Sequence, residues 1–302
     1  MTGSAVEAVS GRRLGVALLV VLTLVWGVNW PIMKIALAEL PPATFRAVCT
    51  IGGAAGLFLL CRLGGMRVAL PRDRRRAVVG AALLNVTGWT LLSAYALTMM
   101  PAGRASIIAF TMPLWVAVLG ALFLGERFTI RRVVALALGL GGLGVLIGPE
   151  LAALGAAPAG ALVMIAAAMS WAAGTVALKR LVGAVPVIVL SAWQLLIGGL
   201  PVVAIALIGE RDLIAPIGWA ASLALAYNVV ICVIFGNYAW FKIVSLFPAA
   251  VAGIGTMMIP VIGVLASAAV LGEAIGGQEI LALALVVGAL ATVLSSSRPP
   301  RA

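Results

Sequence analysis

Trp26, Asn29, Trp30 and Met33 stand at i, i+3, i+4 and i+7, one face of a helix. That face carries two indoles, a carboxamide and a thioether, groups that bind by stacking and hydrogen bonding. Asn85 and Trp89 repeat the combination one turn apart, with Tyr95 beyond them, and Asn228, Asn237, Tyr238 and Trp240 form a third set. Trp115 and Trp171 complete the candidate aromatic walls. Side chains of these types suit a small organic molecule. Aromatic faces take its apolar body or an ammonium, and asparagine amides fix its polar groups. Two structural roles stay open beside this one. Tryptophans populate interfacial belts, and asparagines tie helix to helix for about 0.6 kcal/mol per pair. Covalent chemistry has no candidate: the chain has no histidine, no HExxH, no GxSxG and no paired carboxylates within an apolar run. Neither an enzyme nor a cofactor or metal is expected.

The elements that position these residues follow from composition. Hydrophobic residues make up 64% of the 302 and charged residues 10%, with a mean hydropathy of +1.23. A soluble domain would be roughly a quarter charged, so the expected solvent is a bilayer. Each spanning helix needs about 20 apolar residues. Runs of that kind lie near 14–36, 42–62, 77–98, 102–124, 131–148, 159–180, 187–208, 217–240, 249–271 and 279–296. The fold class is therefore an all-α membrane protein with ten transmembrane helices, multi-pass in the cytoplasmic (inner) membrane. Arg12 and Arg13 before an apolar stretch imitate a signal peptide, but no small-residue cleavage site follows, and an uncleaved first helix is expected. The net charge of +11 sits in short loops between apolar runs, so nucleic acid is not an expected partner. Cys49, Cys61 and Cys232 have neither even number nor metal-ligand spacing, which argues against disulfides and zinc sites.

Charge sets the orientation. With a cytoplasmic N-terminus, cytoplasmic segments hold 16 Lys and Arg and external segments hold Lys34, Arg104 and Arg211. Both termini therefore face the cytoplasm. The chain also repeats itself. Pro101-Ala102, Pro113 and Leu124-Gly125-Glu126 recur 147 residues later as Pro248-Ala249, Pro260 and Leu271-Gly272-Glu273, with 9 of 26 aligned positions identical and no gap. Five helices precede the loop around Pro149–Pro158 and five follow it, so the second unit enters from the opposite side. Equivalent loops should then carry opposite charge bias. The loop after helix 2 has six arginines, whereas its counterpart reads Gly209-Glu210-Arg211-Asp212. Residues 1–150 and 151–302 are thus expected to be two inverted five-helix repeats, the architecture of alternating access, with the site near interrupted helices.

Trp26-Gly27-Val28-Asn29, Phe45-Arg46, Tyr95-Ala96-Leu97 and the two Pro…Leu-Gly-Glu helices together resemble an EamA-type member of the drug/metabolite transporter superfamily, over nearly the whole chain. Among its members the resemblance is to the YddG-like amino-acid exporters in particular. It implies a ten-helix carrier that exports amino acids or other small metabolites. The second half departs from the pattern, with Trp171-Ala172-Ala173-Gly174 and Trp193-Gln194 where the first has Trp-Gly-x-Asn and Phe-Arg. Only one half offers that asparagine and arginine.

The substrate site is expected from Trp26, Asn29, Trp30, Asn85, Trp89, Tyr95, Trp115, Trp171, Asn228 and Tyr238. Pro31, Pro113 and Pro260 are expected to kink or pivot their helices. Glu126 and Glu273, which end helices at opposite faces, are either gate ion pairs or solvated ends. Arg46, the one fixed charge well inside a span, costs up to about 2.5–3.5 kcal/mol at a bilayer centre. It can bind a substrate carboxylate, snorkel outward or pair with Glu39, and a structural role is favoured. Gly139–Gly144 satisfies GxGxxG, but no strand precedes it; a close-packing helix face is the expectation. With no carboxylate or histidine deep in a span, movement should be facilitated and gradient-driven. The expected partners are a small-molecule substrate and the lipid bilayer, for a monomer or weak homodimer moving neutral or aromatic amino acids. The alternative is a channel-like pore or an exporter of other amphiphilic metabolites.

Overall fold

Alanine, leucine, valine and isoleucine make up much of each apolar run, and a helix satisfies such a run's own backbone in hydrocarbon. The computed structural model describes residues 3–124, 130–152, 159–178, 185–246 and 258–294. All regular elements among them are helical. They are α1 (Gly3–Leu37), α2 (Pro42–Leu63), α3 (Arg75–Ala82), α4 (Trp89–Met99), α5 (Ala102–Ala109), α6 (Met112–Leu124) and α7 (Ile130–Ala152). Then come α8 (Ala159–Leu178), α9 (Val187–Gly209), α10 (Trp219–Ala226), α11 (Gly236–Leu246), α12 (Ile259–Leu271) and α13 (Gly277–Leu294). Pro41, Pro101 and Pro186 stand just before α2, α5 and α9, where a missing N–H costs nothing.

Seven helical spans among the described residues are long and apolar enough to cross a membrane, and three shorter apolar helices accompany them. The chain is a multi-pass membrane protein. At 1.5 Å per residue, the 22 residues of α2 reach about 33 Å, enough for a hydrocarbon core of about 30 Å.

Two spans are not uniform α-helix. Leu83–Gly88 joins α3 to α4 in a π-helical turn, and Tyr227–Phe235 joins α10 to α11 in the same way. The two π segments end at Gly88 and Phe235, 147 residues apart, the spacing of the sequence repeat. A π turn widens the helix and is found most often at functional sites.

The expected single helix over 102–124 is instead two helices. α5 stops at Ala109, Phe110 and Thr111 form a turn, and α6 starts at Met112 with Pro113 as its second residue. Proline fits a first helical turn because its absent N–H has no partner to lose there. The chain therefore breaks and restarts where a kink was expected. Pro260 has the same place as second residue of α12, and α6 and α12 are each 13 residues long at the 147-residue offset. Pro31, by contrast, lies inside an unbroken α1. Residues 249–257 lie outside the described residues, as does Glu126.

Helix pairings are reciprocal between the halves. α2 packs on α9, α7 on α13 and α5 on α12. α1 packs on α11 and α12, and α8 packs on α4 and α6. The main core is built around Trp30, Met33, Phe45, Leu97, Ile107, Leu146 and Met164.

Candidate functional site

Trp26 and Trp171 each lie against the helix that follows a π turn. The Trp26 Nε1–H donates to the Cys232 carbonyl at 3.2 Å, and its ring lies 6.2 Å from that of Trp240. The indole rests on Gly236, where an added Cβ would come within 2.6 Å of Nε1. Trp171 on α8 meets Trp89, the residue 147 positions before Gly236, with ring centroids 4.7 Å apart and planes inclined by 38°. One half thus pairs an indole with a bare backbone, and the other pairs two indoles.

The asparagines divide by what they bond. The Asn85 Nδ2 donates to Gln194 Oε1 at 3.2 Å, joining the first π turn to α9. The Asn85 carboxamide lies on Gly174, where a Cβ would stand 2.5 Å from Oδ1. Asn228 and Asn237 turn their Nδ2 back to the carbonyls of Ala224 and Val233 on their own helix. The oxygens Asn29 Oδ1 and Asn85 Oδ1 are buried without a donor among the described residues. A buried acceptor left unmade costs about 1–3 kcal/mol, which is how a binding site stores its demand for a donor.

The remaining candidates scatter. Trp30 is buried between α1, α5 and α12, beside Ser106 and Gly263. The Trp115 Nε1–H donates to Thr111 Oγ1 one turn back at 3.2 Å. Tyr238 is 39% exposed on the outer surface of α11, away from Trp26. Tyr95 stands at one end of the bundle, where its OH donates to Glu210 Oε1 at 2.8 Å.

Arg46 takes neither of two roles left open for it. It is 92% buried by its 8% exposure, so it does not snorkel. It does not pair with Glu39 either, since Glu39 accepts the Gly218 N–H at the start of α10. The guanidinium instead donates from Nε to the Thr90 carbonyl at 3.1 Å and from Nη2 to Ser93 Oγ at 3.0 Å.

Three further carboxylates, Glu273, Glu210 and Glu279, bind at helix ends. Glu273 accepts the N–H groups of Ala102 and Gly103 at 2.7 and 2.9 Å, capping α5, and lies 3.5 Å from Lys34 Nζ. Glu210 accepts the N–H groups of Ala43 and Thr44 at 2.9 and 2.6 Å, capping α2. Glu279 receives Arg104 Nε at 2.8 Å and the Gly276 N–H at 2.9 Å. Lys34 Nζ also donates to the Met100 carbonyl at 2.7 Å. Burial alone would raise the Glu210 carboxyl. The bonds from Ala43, Tyr95 and Thr44 outweigh it and hold the group below the usual carboxylate range. Glu273 is thus a helix cap as well as an ion-pair partner, and not a solvated end.

The EamA-like transporter family model matches twice, over residues 13–148 and 158–295. This chain belongs to the EamA-like transporter family. An EamA-like chain named "Uncharacterized transporter YvbV", from Bacillus subtilis (strain 168), is 32% identical over 298 residues, covering 94% of this chain and 93% of the relative. A "Probable amino-acid metabolite efflux pump" of Salmonella typhimurium is 28% identical, covering 91% and 92%. A solved crystal structure covers 94% of this chain and 96% of its own with a TM-score of 0.67 at 23% identity, so the likeness there is one of fold. These relatives are named as transporters rather than enzymes.

Within this EamA-like transporter, sequence reasoning missed Gln194, Tyr227 and Glu210. Gln194 carries the bond to Asn85, and the Tyr227 OH donates to the Val25 carbonyl at 2.9 Å. Glu210 read as one acid in a polar loop. Its signal was present: an acid just past one helix suits the positive N-terminus of another, but only the fold says which.

Proposed function

We propose that this transporter is a secondary carrier that exports small organic metabolites, neutral or aromatic amino acids foremost, across the cytoplasmic membrane. The seven long spans and three shorter apolar helices act as ten crossings, in two inverted repeats at 1–150 and 151–302, with both termini cytoplasmic. One observation carries this reading. Equivalent helices of the two halves are both widened to π turns, and each is followed by a residue packed against the matching tryptophan, Gly236 against Trp26 and Trp89 against Trp171. A carrier of this kind would hold its solute between the two repeats, with these tryptophans as its walls.

The carboxylate-capped ends lie at the external side in this topology. There Glu210 and Glu273 each tie the end of one helix to the start of another. Alternating access then requires breaking the caps of Glu210 and Glu273 as the opposite side shuts. The wall residues are Trp26, Asn29, Asn85, Trp89 and Trp171; the pivots are Pro113 and Pro260. Purified protein in proteoliposomes should show saturable flux of labelled neutral amino acids, with no single-channel conductance. Flux that rises linearly with concentration, or none for any neutral amino acid or amine, refutes the reading.

A further inference from the structure

Arg46 is a buried cation one turn inside the start of α2, and the ion pairs among the described residues do not include it. Buried charges in proteins are ordinarily paired or metal-bound, because desolvating one alone is costly. Within a membrane span such a residue faces the bundle interior and marks the path of a substrate or ion.

The carboxylates that could neutralise it are committed elsewhere. Glu39 bonds the Gly218 N–H. Glu210 lies close in the fold, bonding Ala43 and Thr44 just before Arg46, yet both its oxygens are taken by α2 N–H groups, the Thr44 hydroxyl and the Tyr95 hydroxyl. Arg46 itself uses two N–H donors, Nε and one on Nη2, both toward α4. A guanidinium has five. These two bonds fix the plane of the group and leave donors for a fork to a carboxylate, the anion whose geometry matches it. The ring of Phe45, 5.3 Å from Cζ, backs the guanidinium but brings no charge.

We infer that Arg46 is the carboxylate anchor of the transported solute, held in place by Thr90 and Ser93. This rests on the carrier reading above and specifies its substrate class as a zwitterion or carboxylate with an apolar body. The placement supports it. Thr90 follows Trp89, whose ring meets that of Trp171 at 4.7 Å, so the helix that holds the anchor also carries one half of the indole pair. The counterpart end of a zwitterion finds acceptors in the same interior, where Asn29 Oδ1 and Asn85 Oδ1 are buried without donors among the described residues. The anchor is single: α9, the helix of the second half that packs on α2, holds no Lys or Arg, and its Gln194 is spent on Asn85. One cation per carrier suits one carboxylate per cycle.

The test uses three probes of one skeleton: phenylalanine, phenethylamine (no carboxylate) and 3-phenylpropionate (no ammonium). Flux into proteoliposomes and thermal stabilisation of the detergent-purified protein are read for wild type, Arg46→Lys and Arg46→Gln. In wild type, phenylalanine and phenylpropionate should stabilise the protein more than phenethylamine. Arg46→Gln should cut phenylalanine flux at least about tenfold, as expected for removing one partner of a buried charge pair, while phenethylamine is affected less than about twofold. Arg46→Lys should recover part of the carboxylate response, because the charge remains and the fork does not. An equal loss for phenylalanine and phenethylamine makes Arg46 a purely structural tie and overturns the inference. So does a wild-type protein stabilised no better by the two carboxylates than by the amine. If wild type shows carboxylate-dependent stabilisation that Arg46→Gln abolishes but carries no flux, the anchor stands and the carrier reading fails.

Discussion

The Ala102 N–H donates to the Glu273 carboxylate at 2.7 Å, across 171 residues of chain. Ala102 belongs to the Pro-Ala that opens the first copy of the repeated motif, and Glu273 to the Leu-Gly-Glu that closes the second. The motif is therefore explained by its own counterpart: the end of one copy caps the start of the other. Gly272 makes this possible. At φ 68° it adopts the left-handed conformation that ends α12, and its N–H donates to the Ala268 carbonyl at 3.1 Å. That turn brings the next residue, Glu273, over the N-terminus of α5, where a carboxylate is favoured by unsatisfied N–H groups and the helix dipole.

Glu273→Ala should lower stability by about 1–2 kcal/mol, the usual loss for a helix cap. Gly272→Ala should cost a similar amount, about 1–2 kcal/mol, because a Cβ disfavours the left-handed conformation. Both act on one latch, so the double variant should lose less than the sum of the two. Thermal unfolding of the three variants in one detergent checks it; strict additivity would mean that Gly272 does not position Glu273.

Glu210 gives its end of the bundle a dependence on acid. Its carboxyl is held below its ordinary value, so its contribution is fully present above the unfolded carboxylate range of about pH 4.3. It is lost as pH falls through the lower folded value. Wild type should keep a flat unfolding temperature near neutrality and fall off in acid, while Glu210→Gln should start lower and show a shallower acid limb. A Glu210→Gln profile parallel to wild type at every pH would dismiss the carboxylate's role.

Gly236 should be intolerant of a methyl group. A Cβ there would stand 2.6 Å from Trp26 Nε1, and overpacking of that kind costs about 1–3 kcal/mol. The cost should shrink in a Trp26→Phe background, whose smaller ring vacates the contact. A double-mutant cycle on unfolding temperature reads the coupling; Gly236→Ala equally costly in both backgrounds refutes the contact.

Trp171→Ala should weaken transport through lost affinity. Aromatic pairs contribute about 0.5–1.5 kcal/mol beyond burial, so the half-saturation concentration for an aromatic amino acid should rise about two- to tenfold. Trp171→Phe should restore most of it. A fall in maximal rate alone would place Trp171 in the conformational cycle instead.

The apolar runs, their proline and glycine boundaries and the 147-residue repeat were legible from the chain, because burying a helix in hydrocarbon demands about 20 apolar residues whatever its neighbours are. Membership of the EamA-like transporter family was legible too, from Trp26-Gly27-Val28-Asn29 and the paired Pro…Leu-Gly-Glu helices. The break at Phe110–Thr111 was not, since one proline is compatible with either a kink or a restart. Nor were the π turns at Leu83–Gly88 and Tyr227–Phe235: their altered bonding follows from packing against α2, α8 and α9, and no residue pattern announces it. The fate of each polar group was decided by tertiary structure alone. Glu39, Glu210 and Glu273 each sit at a helix end with several possible partners, and distance in space selected helix N-termini for all three. That selection left Arg46 without a carboxylate. Sequence determines which groups must be satisfied in a membrane; only the fold determines which of them are left for a solute.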